Sequence, residues 1–529
     1  MKIIENEFES NKPVLLYGIT SSGKTEVYIK LIEQKLKENK TILFLLPEIS
    51  LTSQMVMRIR KHFGETVGIY HSKFNQNERV ELWEKTLNGE YKIIIGARSA
   101  LFLPFKNLGL IIVDEEHESA YKQTDSKPFF QARDMALVLG NLCKSKVLLG
   151  SATPSLESFY NSKENKYGYA ELLNRYGESK LPKIELIDLR KAMNQKEITG
   201  DISHKLRDEI QEVLDEGKQV IIFQNRRGFA PVMECLSCGH SPYCPNCDVP
   251  LTFHKFSNQI KCHYCGHSQG KPSKCPNCQS LELTTKGIGT EQIELQLINI
   301  FPKAKIARMD VDAMRKKYAY EKTIEAFENQ EIDILVGTQM LAKGLDFSNV
   351  ALVGVIRADS LLNFPDFRAH EKAFQLLTQV SGRAGRREEQ GKVFIQTYNP
   401  DHQILQNVTT YDYLKTVNEI LYERKSFLYP PYVRLIQLTF RHVKKEKADK
   451  VSAEFVKLMK NFLDEKHLLG PEEPSIGRIK NQFIRKVLIK IPHNQSSKNV
   501  KNLIQKSLDA IHTVQAFRSV KIDVDVDPH

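Results

Sequence analysis

No apolar run in this sequence approaches the roughly 20 residues needed to cross a bilayer. The longest, such as Leu108–Val113 and Val350–Ile356, have the length of buried strands. The opening residues MKIIENEFESNK carry no apolar stretch behind a basic cap, which argues against secretion and for a cytoplasmic location. There is no internal repeat and no low-complexity tract, and the lysines of 444–450 read as the solvated start of a helix. Cysteine is scarce outside one segment. Cys143 stands alone and is expected to be a buried small hydrophobe.

The other eight cysteines form four CxxC pairs: Cys235/Cys238, Cys244/Cys247, Cys262/Cys265 and Cys275/Cys278. Two thiolates on a tight knuckle both reach one tetrahedral ion, so eight sulfurs predict two closed four-cysteine zinc sites in a reducing compartment. The spacing between Cys247 and Cys262 is close to that of zinc ribbons, which favours a nested pairing. In it, Cys244, Cys247, Cys262 and Cys265 hold one ion, and Cys235, Cys238, Cys275 and Cys278 hold the other. A sequential pairing of Cys235/Cys238 with Cys244/Cys247 is shorter and remains open. His240, His254, His263 and His267 are alternative ligands that eight thiolates make unnecessary. Closed sites leave no open position for substrate, so the segment is expected to be structural: a rigid projection that meets partners.

At 529 residues the chain exceeds one core and divides into several units. Short apolar runs alternate with helical patterns in PVLLYG, TILFLLP, KIIIGARSA, LGLIIVDEEH and KVLLGSATP, and again in QVIIFQNRRG, AKIARMD, DILVGTQ, NVALVGVI and KVFIQTY. Strands that are apolar on both faces and separated by helices make doubly wound parallel sheets. The expected fold class is therefore α/β, with two tandem lobes, a cysteine-rich insertion in the second and a C-terminal α+β domain. The boundaries read as 1–176 for the first lobe, 177–232 and 283–400 for the two parts of the second, 233–282 for the insertion and 401–529 for the last domain. That domain is expected to open with one helix over Val408–Phe427, before the Pro430-Pro431 break.

Gly18-Ile19-Thr20-Ser21-Ser22-Gly23-Lys24-Thr25 matches GxxxxGK[ST] directly after a strand and before a helix. Its amide groups would close around phosphates, Lys24 would reach the β and γ oxygens, and Thr25 would hold Mg²⁺. DEEH, Asp114 to His117, ends a strand at the carboxyl edge where open α/β sheets bind ligands. Alone it reads as a solvated loop. Paired with the Lys24 loop, it gives Asp114 to Mg²⁺ and Glu115 to the attacking water. QVSGRAGR supplies Arg383 and Arg386, which fit arginine fingers from the opposing lobe, or else a glycine-rich helix cap with surface arginines. The net charge of +12 agrees with a polyanionic partner without demanding one.

Together, GITSSGKTE, LLPEISLT, GARSA, DEEH, GSATPS, FQNRRG, GTQMLAKGLDF and QVSGRAGR resemble superfamily 2 helicases. The cysteine pairs after NRRG, with SAYKQ, FQARD, FPDFRAHE, YPPY and the terminal DVDP, resemble the replication-restart (PriA) family within them. The resemblance implies RecA-like lobes with ATP between them and 3′ to 5′ movement on single-stranded DNA. It assigns Asp346 and Gln379 to nucleotide, and His117, Ser151 and Thr153 to coupling of hydrolysis with lobe movement. Arg98, Arg226, Thr338 and Gln339 fall on its strand-binding side, where DNA contact is the favoured reading and intramolecular salt bridges the alternative. Tyr121, Phe129 and Phe130 fit a base-stacking loop, with stacking worth roughly 1–3 kcal/mol per base, or simply core. The implied enzyme is a DNA-stimulated ATPase and helicase, nucleoid-associated, with ATP, Mg²⁺ and two Zn²⁺. Its implied partners are single-stranded and forked DNA, primosome proteins, the replicative helicase loading machinery and single-stranded DNA-binding protein.

Two features depart from the family pattern. The family places a DNA-binding domain and a winged helix ahead of the lobes, and little of this sequence precedes Gly18; Leu345 stands where relatives carry His. Two rival readings remain. An RNA helicase or duplex translocase is disfavoured by DEEH together with the cysteine insertion. A scaffold with non-hydrolysing lobes is disfavoured by intact Lys24, Glu115 and Arg386.

Overall fold

The computed structural model describes residues 1–528 apart from 48–53, 72–73, 176–179, 226–231, 255–257, 286–288, 311–312, 316–318, 343–346 and 386–389. The first lobe is a seven-stranded parallel sheet in the spatial order Val67–Tyr70, Ile93–Gly96, Thr41–Leu45, Leu108–Asp114, Lys146–Ser151, Val14–Gly18 and Gly168–Leu172. Successive residues feed opposite cores, as a strand's period of two requires: Leu15 packs in one, Val14 and Leu16 in the other. The second lobe has six parallel strands, ordered Ile306–Met309, Ile334–Gly337, Gln219–Phe223, Val350–Val355, Lys392–Thr397 and Lys183–Asp188. Three of these strands, Val67–Tyr70, Gly168–Leu172 and Lys183–Asp188, were not anticipated. All three are sheet edges: Gly168–Leu172 and Lys183–Asp188 are of mixed polarity, and Val67–Tyr70 is a short apolar run interrupted by Gly68.

The last domain is an antiparallel sheet in the order Leu468–Glu472, Gln482–Pro492, Val433–His442 and Lys521–Val526, with Arg478–Ile479 paired to the second strand. Helices Lys445–Lys460 and Ser497–Thr513 pack on it. The single helix expected over Val408–Phe427 is two, Gln403–Thr409 and Tyr413–Ser426. Tyr411 turns the chain with φ 55°, and Asp412 starts the second helix by accepting from Lys415 N at 2.9 Å. Cys143, expected to be buried, is exposed. It is the last residue of helix Ala132–Cys143, whose inward face is Ala132, Ala136 and Gly140. No helix among the described residues is long and apolar enough to cross a membrane.

The lobes meet on apolar and ionic ground. Tyr413 lies 5.0 Å from the Tyr17 ring and 5.5 Å from Phe159 in the first lobe, and 6.2 Å from Phe374 in the second. Arg424 is fully buried, with Glu371 of the second lobe at 2.5 Å and Glu157 of the first at 3.3 Å. Burial alone would raise the Glu157 carboxyl, but the guanidinium groups of Arg424, Arg368 and Arg133 outweigh it and hold it at about 2. Its unfolded-state value is higher, so the pairing stabilises the protein above pH 4.5 and is lost as pH falls toward 2. Denaturant titrations at pH 5 and pH 3 are expected to show Glu157→Gln removing about 2 kcal/mol of that acid sensitivity. Arg424→Ala, which strands two carboxylates, is expected to lose about 3–5 kcal/mol in the same titration at neutral pH.

Candidate active site and metal centres

The loop after strand Val14–Gly18 turns on Ser21 (φ 64°) and Gly23 (φ 90°) into helix Lys24–Lys37. Lys24 Nζ donates to Gly18 O at 2.6 Å, lying over the loop whose amides it would share with a phosphate. A Cβ at Gly18 would come within 2.8 Å of the Lys24 chain, so only glycine leaves that path open. Facing the loop, buried Asp114 accepts from Tyr28 OH at 2.8 Å. This contact depends on Gly150: a Cβ there would fall 1.8 Å from the Tyr28 hydroxyl.

Burial, then the charge of Glu115, pushes the Asp114 carboxyl up to about 6, against the opposing pull of Lys24 and the Tyr28 hydrogen bond. Two adjacent carboxylates, one of them buried and incompletely compensated, form the hard oxygen environment that suits Mg²⁺, with the Thr25 hydroxyl beginning the same helix. Glu115 adopts φ 48°, and its Oε2 stands 3.6 Å from His117 Nδ1 with no hydrogen-bond donor. A water-orienting carboxylate needs that spare acceptor capacity.

The second lobe reaches this set through helix Ala369–Ser381. Gln379 Nε2 lies 2.8 Å from His117 Nε2, His117 Nδ1 lies 2.7 Å from Ser151 Oγ, and Thr153 N donates to the same oxygen at 2.9 Å. With the Gln379 amide as donor, His117 Nε2 accepts and Nδ1 carries the proton to Ser151. Beyond this helix, Gly382 abuts the phosphate loop, since a Cβ on it would lie 3.2 Å from Thr20 Oγ1. Arg383 donates to Ala342 O within its own lobe. Arg386, Asp346 and Arg226 lie outside the described residues.

The cysteines gather as two quartets, Cys235/Cys238/Cys275/Cys278 and Cys244/Cys247/Cys262/Cys265, each with its sulfurs within 4.8 Å of one another. Sulfur pairs stand 3.6 Å apart. Tetrahedral Zn–S bonds of about 2.3 Å require edges of about 3.8 Å, so the donor set fits zinc. All four knuckles share one backbone pattern. The first cysteine's N–H donates to the carbonyl of His240, Val249, His267 or Ser280, and its own carbonyl accepts from Gly239, Asp248, Gly266 or Gln279. Those four residues all have positive φ, between 50° and 79°. The inner quartet does not project as expected. It packs with Met233, Leu251, Phe367 and Leu469, and Tyr429 OH donates to Cys247 O at 2.9 Å while its ring stacks on Phe367 at 4.3 Å. The insertion is thus wedged between the second lobe and the last domain.

Sequence comparison matches residues 2–161 to the DEAD/DEAH box helicase family and 283–388 to the helicase conserved C-terminal domain. Residues 244–269 match the PriA DNA helicase Cys-rich region domain, and 425–529 the primosomal protein N C-terminal domain. The replication restart protein PriA of Rickettsia felis is 38% identical over 518 residues, covering 98% of this chain and 78% of that protein. The chain belongs to the PriA family. The PriA of Bacillus subtilis is 40% identical over 522 residues, covering 98% of this chain and 64% of that protein, and the PriA of Synechocystis is 40% identical over 525 residues, covering 97% and 62%. The chain therefore spans less than two thirds of the length of those two PriA proteins.

Within this PriA-family chain, several expected DNA contacts are engaged elsewhere. Arg98 binds Asp125 at 3.0 Å and the Lys122 carbonyl at 3.2 Å, the intramolecular reading. Tyr121 is core: it is 1% exposed and its hydroxyl donates to Leu45 O and Asp114 O. Burial of its ring removes it from any stacking loop. Phe129 and Phe130 are half-buried, Phe130 meeting Phe102 edge-on at 5.3 Å. Thr338 and Gln339 are also half-buried, and Gln339 lines a cavity of about 570 Å³ shared by both lobes and the last domain.

Sequence reasoning missed the role of Glu116. Fully buried, it accepts from Ser155 N at 2.6 Å, Ser158 Oγ at 2.8 Å and Arg133 at 3.1 Å, binding DEEH to GSATPS. It also missed Lys122, whose Nζ donates to Asp525 at 2.6 Å and to the Val526 carbonyl at 2.7 Å. Both partners lie in stretches marked as family-like, FQARD, SAYKQ and DVDP, which was the available signal. Elemental analysis is expected to find about two zinc ions per chain, falling to one in Cys262→Ser/Cys265→Ser with the outer quartet still loaded.

Proposed function

We propose that the chain is an ATP-driven DNA helicase of replication restart that moves 3′ to 5′ on single-stranded DNA, acts at stalled or recombined forks and helps reload the replicative helicase. The supporting observation is the Gln379–His117–Ser151 chain, which joins the second lobe to the carboxylate pair Asp114 and Glu115 beside Lys24. PriA family membership supports the restart role, which the relatives' names carry. In this reading Lys24 and the amides of Ile19 to Thr25 hold the triphosphate, and Glu115 orients the water that attacks the γ-phosphorus. Mg²⁺, held by Asp114 and Thr25, would neutralise charge on the phosphoryl oxygens. Gln379, Arg383, Arg386 and Asp346 would act from the second lobe, so that turnover depends on the cleft being closed. Two Zn²⁺ fix the insertion between lobe and last domain. Single-stranded and forked DNA, primosome proteins, the helicase-loading machinery and single-stranded DNA-binding protein are the proposed partners, at a cytoplasmic, nucleoid-associated location.

ATP turnover measured alone, with single-stranded DNA, with forked DNA and with RNA tests this reading. DNA is expected to stimulate, and RNA to fall well short; failure of DNA to stimulate would overturn it. Lys24→Ala should reduce turnover on the order of 100-fold or more with zinc content unchanged.

A further inference from the structure

Helix Ala369–Ser381 carries three polar side chains at successive four-residue steps, Glu371, Gln375 and Gln379, and a helix places such positions on one stripe. Each meets the first lobe at a different point. Gln379 meets His117. Gln375 Nε2 lies 3.2 Å from the Thr153 carbonyl and 3.4 Å from that of Pro154. Glu371 Oε1 accepts from Leu156 N at 2.9 Å.

The last contact is a helix cap supplied in trans. Leu156 is the first residue of helix Leu156–Lys163, whose opening N–H groups have no partner within their own helix. Ser155 Oγ caps Ser158 N from the same lobe, and Glu371 brings a carboxylate from the other to the positive end of the helix. Arg424 fixes the second Glu371 oxygen, so the carboxylate stays aimed. The residues so clasped, Thr153 to Leu156, begin two positions after Ser151, which bonds His117.

We infer that Gln375 and Glu371 are positioning residues for the ATPase: they register lobe closure on the GSATPS loop, and the loop transmits it through Ser151 to His117 and the DEEH carboxylates. This rests on the helicase reading above. Withdrawal of the helix removes the Gln375 donor from the Thr153 carbonyl and the Glu371 acceptor from a helix N-terminus, while the Pro154 carbonyl also accepts from Tyr413 OH at 3.0 Å, so the loop's full set of bonds is made only when the lobes meet. Both side chains bond the GSATPS loop and the helix that follows it. Their removal acts on turnover and spares nucleotide affinity.

Gln375 provides the test, because Gln375→Glu keeps its shape but replaces the amide donor with a carboxylate facing two carbonyls and Glu371. In the full chain, wild type, Gln375→Glu and Gln375→Leu are compared by ATP turnover with and without oligo(dT), by mant-ADP affinity and by melting temperature. Both variants are expected to lose oligo(dT)-stimulated kcat by about 10-fold or more, with mant-ADP affinity within about twofold of wild type. Stimulation at the wild-type level in either variant overturns the inference. So does loss of mant-ADP binding together with a fallen melting temperature, which makes Gln375 a fold residue. A wild type that oligo(dT) does not stimulate overturns the helicase reading, and this inference with it.

Discussion

A buried guanidinium holds this molecule in one shape. Arg424 leads out of the second lobe toward the last domain, yet its charge is balanced by Glu371 of the second lobe and Glu157 of the first, and it donates to the Pro430 carbonyl besides. A charge in that position is tolerable only while its partners stay in place, because the desolvation it has already suffered is not recovered when one of them leaves. The two lobes and the entry to the C-terminal sheet are therefore bound to a common point. Tyr413 beside it fills space with its ring and donates its hydroxyl to the Pro154 carbonyl of the first lobe at 3.0 Å, so the ionic contact and this hydrogen bond together set register.

From that point the helix bearing Glu371 runs toward the phosphate loop and meets the first lobe at successive points. It touches the GSATPS loop, then His117, and at its far end Thr20. On the first-lobe side, Glu116 and Arg133 bind the same GSATPS loop from beneath. The loop thus has a permanent anchor within its lobe and a conditional one across the cleft. The zinc-type knuckles play the corresponding role for the insertion: each quartet gathers a donor set that fits one tetrahedral ion, and Tyr429 and Phe367 bind the inner one to its surroundings.

Much of this was legible in the residues alone, for physical reasons that also explain the exceptions. Central strands announce themselves because both faces are buried, and GITSSGKT and DEEH because few residue types can hold phosphate and metal at that spacing. Edge strands such as Lys183–Asp188 are half-solvated and resemble loops. The break at Tyr411 depends on one left-handed residue, which a helical pattern does not reveal. Tyr121 and Phe130 look alike in sequence, and only the path of the chain decides that the first is fully buried against Leu45 while the second is half-buried against Phe102. The roles of Arg424, Glu371 and Lys122 rest on partners hundreds of residues away, and no local pattern encodes such pairs. The insertion was placed correctly along the chain and wrongly in space, because its packing partners are in other domains.

The Lys122 contact has a consequence for how the protein is made. Its ammonium, in the loop that follows DEEH, is satisfied by Asp525 and the Val526 carbonyl, partners 403 and 404 residues further along the chain. During synthesis the first lobe leaves the ribosome long before them. Its nucleotide box must wait, with that lysine in water, until the final strand of the last sheet has been translated and docked. Completion of the first lobe is thereby tied to arrival of strand Lys521–Val526, and a nascent chain halted before that strand lacks the contact.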